Sequence, residues 1–249
     1  MRKSLLTGLI LLGMVFCSAM SAMAYDYTAI GSNITMLDGV GNGTSDWFGN
    51  QEDNEVEYSD QYRAVATQTW DMEAFFWKNE TQTLTMIGGY DLISGEDNIA
   101  PGHVFLDAGS DGTWDYAVAF NNTGSATWYD VSGLSIGNGL TSTTYFPASN
   151  PWQYASGSTA TGTLGSEYTE FFSDDLAGVA TGGSHNAIAL DLSDLTLGTS
   201  FVAHFTMECG NDNLMGRTNR DTPNVPIPGA IWLLGSGLAG LIGVRRRRK

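Results

Sequence analysis

The chain has 249 residues, with 27 acidic and 11 basic side chains and a formal net charge of −16. So acidic a surface repels nucleic acid and anionic lipid, which argues against a polyanion-binding role. Its two cysteines allow at most one disulfide, so the fold must rest on an apolar core.

Arg2 and Lys3 open the chain, residues 5–16 are mostly apolar, and Ala22-Met23-Ala24 supplies an A-x-A cleavage site. This is the pattern of a signal peptide over residues 1–24, cut by signal peptidase after Ala24. Phe16 is too bulky for the position that precedes a lipidated cysteine, so Cys17 leaves with the leader. Cys209 then stands alone, either as a small buried apolar residue or as a free thiol for an intermolecular bond. All 27 acids lie in residues 25–224, against four bases (Arg63, Lys78, Arg217 and Arg220), a balance of −23.

Short β-rich runs separated by Gly, Asn, Asp and Ser follow. The predicted strands are 55–67, 72–78, 81–87, 103–106, 114–120, 126–131, 187–192 and 200–209. The last alternates Phe201, Ala203, Phe205, Met207 and Cys209 with Val202, His204, Thr206 and Glu208, the period of two that a strand requires. Asn121-Asn122-Thr123-Gly124 reads as a hairpin turn. Residues 133–165, rich in Gly, Ser and Thr, read as long loops, and 211–224 as a polar linker. No segment keeps a 3.6-residue apolar repeat. The expectation is an all-β chain: a single jelly-roll-like β-sandwich domain over 25–210.

Three patterns bear on chemistry. The first is Asp107-Ala108-Gly109-Ser110-Asp111-Gly112-Thr113-Trp114-Asp115. Asp107, Asp111 and Asp115 fall at positions 1, 5 and 9 of a calcium-type loop, with Gly112 at the turn and the Thr113 carbonyl at position 7. Gly109 replaces the third-position acid and Val118 stands where a bidentate Glu belongs, so the alternative is an acidic β-turn. Glu52 to Glu57 form a second acidic run, in which Glu55 and Glu57 share one face of an extended strand and could bind a cation; the alternative is a solvated charged edge that resists aggregation. His103, His185 and His204 are far apart and no HExxH or Cys pair exists, which disfavours zinc.

The second pattern is carboxylate abundance. Glycoside hydrolysis needs only two suitably spaced acids; Glu167, Glu170, Asp174 and Asp175 cluster locally, but nothing singles out a pair. No GxSxG nucleophile motif lies within residues 25–224. The third is aromatic. Of the six tryptophans in residues 25–224, Trp128 and Trp152 lie in or beside the loop-rich middle, where flat rings can stack on sugars. The alternative is that they fill the core.

The C-terminus is the most specific feature. Val225-Pro226-Ile227-Pro228 is extended because Pro lacks an N–H and restricts the residue before it. Residues 227–244 are apolar, and as a helix would span ~27 Å at about 1.5 Å per residue, enough to cross a bilayer core. Arg245, Arg246, Arg247, Arg248 and Lys249 follow, a cluster that stays cytoplasmic.

This order of motif (225–228), transmembrane helix (229–244) and basic tail (245–249) resembles the PEP-CTERM sorting signal in its VPLPA-type variant, with Ile227 for Leu and Gly229 for Ala. The segments Asp111-Gly112-Thr113-Trp114-Asp115-Tyr116, Asn150-Pro151-Trp152 and Met207-Glu208-Cys209-Gly210-Asn211-Asp212 resemble those of PEP-CTERM surface proteins more weakly. The resemblance implies a Gram-negative exported protein that is held transiently in the inner membrane and processed by an exosortase. It would then be delivered to the cell surface or matrix, in association with exopolysaccharide or biofilm. On this reading the protein is not an enzyme; a carbohydrate-binding module is the alternative, and a secreted glycoside hydrolase a more distant one. Calcium is the one cofactor in view.

Overall fold

The computed structural model describes residues 30–36, 67–158, 161–173 and 183–219. Its strands are β1 (Ser32–Asn33), β2 (Met72–Lys78), β3 (Thr83–Gly88), β4 (Val104–Asp107), β5 (Tyr116–Ala119), β6 (Ser125–Asp130), β7 (Ser135–Ile136), β8 (Gly139–Thr141), β9 (Gln153–Tyr154), β10 (Thr161–Ser173), β11 (Gly183–Asp191), β12 (Ser200–Thr206) and β13 (Asn213–Asn219). Among the described residues helix is almost absent, with short 3-10 turns at Gln68–Trp70 and Pro147–Ser149. The all-β class expected from composition is therefore what forms.

Ten strands make one antiparallel sheet in the order β1-β2-β3-β11-β10-β6-β5-β4-β12-β13. The sheet curls until its two edges share one segment. β1 pairs with β2. Just beyond it, the Met36 amide donates to Met215 O and the Arg217 amide to Ile34 O, each at 2.8 Å. β10 links the two halves: residues 161–165 pair with β6 and residues 166–173 with β11.

The concave face holds the main core. Phe75 and Trp77 from β2, Leu84 and Met86 from β3, and Ile188 and Leu190 from β11 meet Leu106, Val118, Phe201, Ala203, Phe205 and Leu214 from the other half. Trp77 and Phe201 touch edge-to-face, with centroids 4.8 Å apart. Their strands lie near opposite ends of the sheet order, so only a curled sheet brings them together. Met72 and Phe75 share this core although three residues apart, because a bulge between Met72 and Ala74 shifts the alternation by one. Each fully buried Phe contributes roughly 1.5–3 kcal/mol of burial energy.

The opposite faces carry two smaller apolar clusters. Ala74, Phe76, Ile87 and Ala187 form one, joined by Ile30. Phe105, Ala117, Val131 and Leu140 form the other, with Trp114, Tyr129, Leu134 and Tyr154 against it. The second cluster lies beneath the small sheet β7-β8-β9. The predicted loop region 133–165 therefore contains a second layer over β4 and β5.

The predicted strands 72–78, 81–87, 103–106, 114–120, 126–131 and 187–192 all appear, with shifted ends. Asn121 caps the hairpin between β5 and β6, its Oδ1 accepting the Thr123 amide at 2.8 Å. The strand expected over 200–209 stops at Thr206, where a turn returns the Gly210 amide to Met207 O at 2.9 Å. The expected 55–67 strand lies outside the described residues but for its last residue.

Two expectations are corrected. Residues 161–165 are not loop but the first half of β10. Residues 213–219, expected within a linker, form β13, which completes the sheet beside β12. Leu214 enters the core, and Gly216 lets β13 approach β2 so closely that a Cβ there would meet Phe75 at 3.0 Å.

Candidate functional site

Residues 107–115 form the tight turn between β4 and β5. Asp107 is nearly buried, and its two oxygens accept the amides of Asp111 at 3.1 Å and Gly112 at 2.8 Å. Asp115 Oδ2 accepts the Ala108 amide at 2.8 Å. Asp111 Oδ1 takes the Thr113 amide at 3.0 Å and the Thr113 hydroxyl at 2.6 Å. Those two bonds hold the exposed Asp111 carboxyl below its usual range. The acids thus organise the turn by capping its own N–H groups, an arrangement that matches the acidic-turn alternative. Among the described residues, no group of three or more His, Cys, Asp or Glu is arranged to hold a metal ion.

The histidines occupy separate places. His204 Nε2 lies 2.8 Å from the Pro151 carbonyl oxygen, and burial drives its pKa down to about 4. The ring is therefore neutral at pH 7, and Nε2 carries the proton it donates. His103 is also lowered to about 4 by burial; its Nδ1 accepts the Tyr154 amide at 3.2 Å. His185 Nε2 meets Glu73 Oε1 at 2.9 Å, and its Nδ1 lies 2.8 Å from Gly183 O. Cys209 is buried, and burial pushes its thiol up to about 11, so it resists forming the reactive thiolate. Of the two expectations for Cys209, the buried apolar residue is the one realised within this chain. Glu167 and Glu170 stand three residues apart on β10, so they project from opposite faces. Asp174, Asp175 and the Glu52–Glu57 run lie outside the described residues.

The two tryptophans singled out for sugar binding are not brought together as a platform. Trp128 packs against the core, edge-to-face with Tyr116 at 5.6 Å, and its indole lies over Gly162. Trp152 is buried, and its backbone bonds to Thr141 and His103.

A third tryptophan stands at an open site. Trp114 stacks on His204 with centroids 5.4 Å apart and planes 29° apart. It also walls a cleft of about 310 Å³ shared with Gly112, Thr113, Gly133, Leu134, Ser135, Ile136, Leu140, Asn150 and Pro151. Ile136, on the rim, is one of the few large apolar side chains among the described residues that stay exposed. Asn150 Oδ1 is fixed by the Thr143 amide at 2.7 Å and the Thr143 hydroxyl at 3.1 Å. The cleft joins four stretches of sequence, so no local motif marked it. The one available signal was the presence of Trp114 and Asn150-Pro151 in two of the three segments noted for their resemblance to surface proteins.

The expected signal-cleavage residues Ala22 and Ala24, the expected sorting motif Val225 to Pro228 and the basic cluster Arg245 to Lys249 lie outside the described residues. No helix among the described residues is long and apolar enough to cross a membrane. Comparison of the chain with known families, curated proteins and solved structures finds no match.

Proposed function

We propose that this chain is an exported, non-catalytic surface or extracellular-matrix protein. It crosses the inner membrane by its signal peptide, is parked there by its C-terminal helix, and is processed by an exosortase. It then acts in the exopolysaccharide or biofilm layer. The observation that carries this reading is the C-terminal order of Val225-Pro226-Ile227-Pro228, apolar span and five terminal cations. The remainder of the chain supports it. A net charge of −23 over residues 25–224 favours solubility outside the cell. The groups best suited to nucleophilic or acid–base chemistry have structural occupations: Cys209 is buried, and His204 is neutral and hydrogen-bonded.

The domain we propose is a two-layered, jelly-roll-like β-sandwich, made by folding the curled sheet about β10 on one side and residues 32–36 on the other. A carbohydrate-binding module would use the same export route, and the cleft walled by Trp114 favours that as the second reading.

The test is to express the full chain in a host with and without an intact exosortase and to measure its C-terminus by intact mass. Loss of the apolar span and basic end only when the enzyme is present is the expected result. Retention in both strains would make the tail a plain membrane anchor and overturn the sorting assignment.

A further inference from the structure

We infer that the cleft between Trp114, Ile136 and Asn150 binds one pyranose ring of a neutral glycan. This deepens the carbohydrate-binding reading and rests on the surface-protein reading only for the origin of the glycan. Four observations converge.

Size is the first. At about 310 Å³ the cleft stands at the low end of small-molecule sites, which run from about 300 to 1,000 Å³. It suits a single ring with its neighbours extending into solvent, as a polymer requires. Wall chemistry is the second. Trp114 is held in place by His204 on one side of its ring, while Leu134 and Ile136 add apolar surface nearby. A pyranose presents a patch of C–H groups to such a wall and its hydroxyls to the rim. A wholly apolar ligand would leave the polar groups of the rim unpaired.

The third is a positioned donor. Because Thr143 fixes Asn150 Oδ1, the amide plane is set, and no hydrogen bond among the described residues engages Asn150 Nδ2. Asn150 lines the cleft, and an amide N–H of a side chain so held is suited to a hydroxyl or ring oxygen. Charge is the fourth. Asp111 beside the cleft is held ionised by its bonds to Thr113, and the surrounding chain is strongly acidic. A uronate or sulfated sugar would meet repulsion there, whereas a neutral sugar would not.

The experiment uses the full chain, purified in detergent, on an array of neutral hexose, amino-sugar and uronate oligosaccharides. Positive spots are titrated by tryptophan fluorescence. Asn150→Asp keeps an oxygen for Thr143 but removes the donor. Ser135→Trp fills the mouth of the cleft from an exposed position. Trp114→Ala removes the wall but also uncovers His204, so circular dichroism accompanies all three.

The expected result is binding to neutral oligosaccharides that weakens roughly tenfold or more in Asn150→Asp and Ser135→Trp while both keep the wild-type spectrum. Binding to no saccharide, preference for uronates, or neutral-sugar binding unaffected by both variants would overturn the assignment. The outcome is separable from that of the sorting experiment. Normal tail processing with no sugar binding removes the cleft alone; sugar binding by an unprocessed chain removes the sorting route alone.

Discussion

Glu73 Oε1 lies 2.9 Å from His185 Nε2, and both side chains are fully buried. The pair joins β2 to β11, two strands separated in the sheet by β3. It is not isolated: Gln68 Nε2 donates to the same Glu73 oxygen at 2.8 Å and to Ser184 O at 3.2 Å. With Nδ1 facing Gly183 O, both imidazole nitrogens face oxygen acceptors. Removing one partner strands the other away from water. Glu73→Ala should therefore destabilise the chain by about 3 kcal/mol, read as a lowered urea midpoint. Glu73→Gln keeps a hydrogen-bonding group of similar size and should cost less. Equal stability of the alanine variant and wild type would mean that the pair carries no net interaction.

Acid should weaken the fold through two largely buried histidines. His204 and His103 have their pKa lowered from 6.5 to about 4 by burial. Between pH 6.5 and 4 the unfolded chain therefore binds more protons than the folded one. Stability from these groups is complete above pH 6.5 and is lost as pH falls toward 4, at up to about 1.4 kcal/mol per pH unit for each fully shifted group. Both are lowered to the same value, so each should carry a comparable share. Urea midpoints across this range should fall on acidification, and His204→Gln should flatten the slope even if it lowers the starting stability. An unchanged slope in that variant would contradict a neutral buried His204.

The strands legible in the sequence were those with a dense alternating apolar pattern. β12 is the clearest, and Phe201, Ala203 and Phe205 do enter the main core. Its other face was less legible: Val202, His204 and Thr206 are buried too. His204 bonds to Pro151, a contact that period-two reasoning has no means to supply. β10 and β13 were missed because their apolar residues are sparse. In β10, Gly162 serves not as a loop residue but as the space occupied by the Trp128 indole. In the acidic turn, sequence spacing gathered Asp107, Asp111 and Asp115, but spacing does not reveal that backbone amides meet those carboxylates first. The cleft residues come together only through tertiary packing, and for that reason Trp114 was not preferred to Trp128 or Trp152.

That turn yields a third prediction. Asp107 satisfies two backbone amides from a buried position, so Asp107→Ala should cost about 2 kcal/mol through the stranded donors. The loss should be the same with calcium and with chelator, because it arises from N–H groups and not from a metal. Wild-type melting should likewise be the same in both buffers. A calcium-dependent rise in melting temperature that Asp111→Ala abolishes would instead establish the calcium alternative.

Closure of the sheet gives a fourth. Gly216 bridges to Thr35, and a Cβ added there would lie 3.0 Å from Phe75 and 3.3 Å from Ile34. Gly216→Val forces a branched side chain into the seam and should destabilise by about 1–3 kcal/mol. Hydrogen exchange should speed up most at the Met36 and Arg217 amides, which bond across the seam. Exchange that rises uniformly over the molecule would mean that the seam is not a separable unit.

The last prediction concerns the tail. Pro226 and Pro228 have no amide hydrogen, so on the proposed reading Val225 to Pro228 should resist incorporation into a helix interior or a sheet ladder. If the proposed exosortase reads an extended peptide beside the membrane surface, the two prolines would favour the conformation it needs. Pro226→Ala with Pro228→Ala lets helix propagate through those positions at little cost, since alanine is the best helix former. The double variant should accumulate as an uncut, membrane-bound precursor in cells whose exosortase is intact. Membrane insertion should be unchanged, because residues 229–244 and the five terminal cations are untouched. Fractionation and intact mass together check this. Normal processing of the double variant would show that the apolar span and its cations suffice, and that the proline motif is not what the enzyme reads.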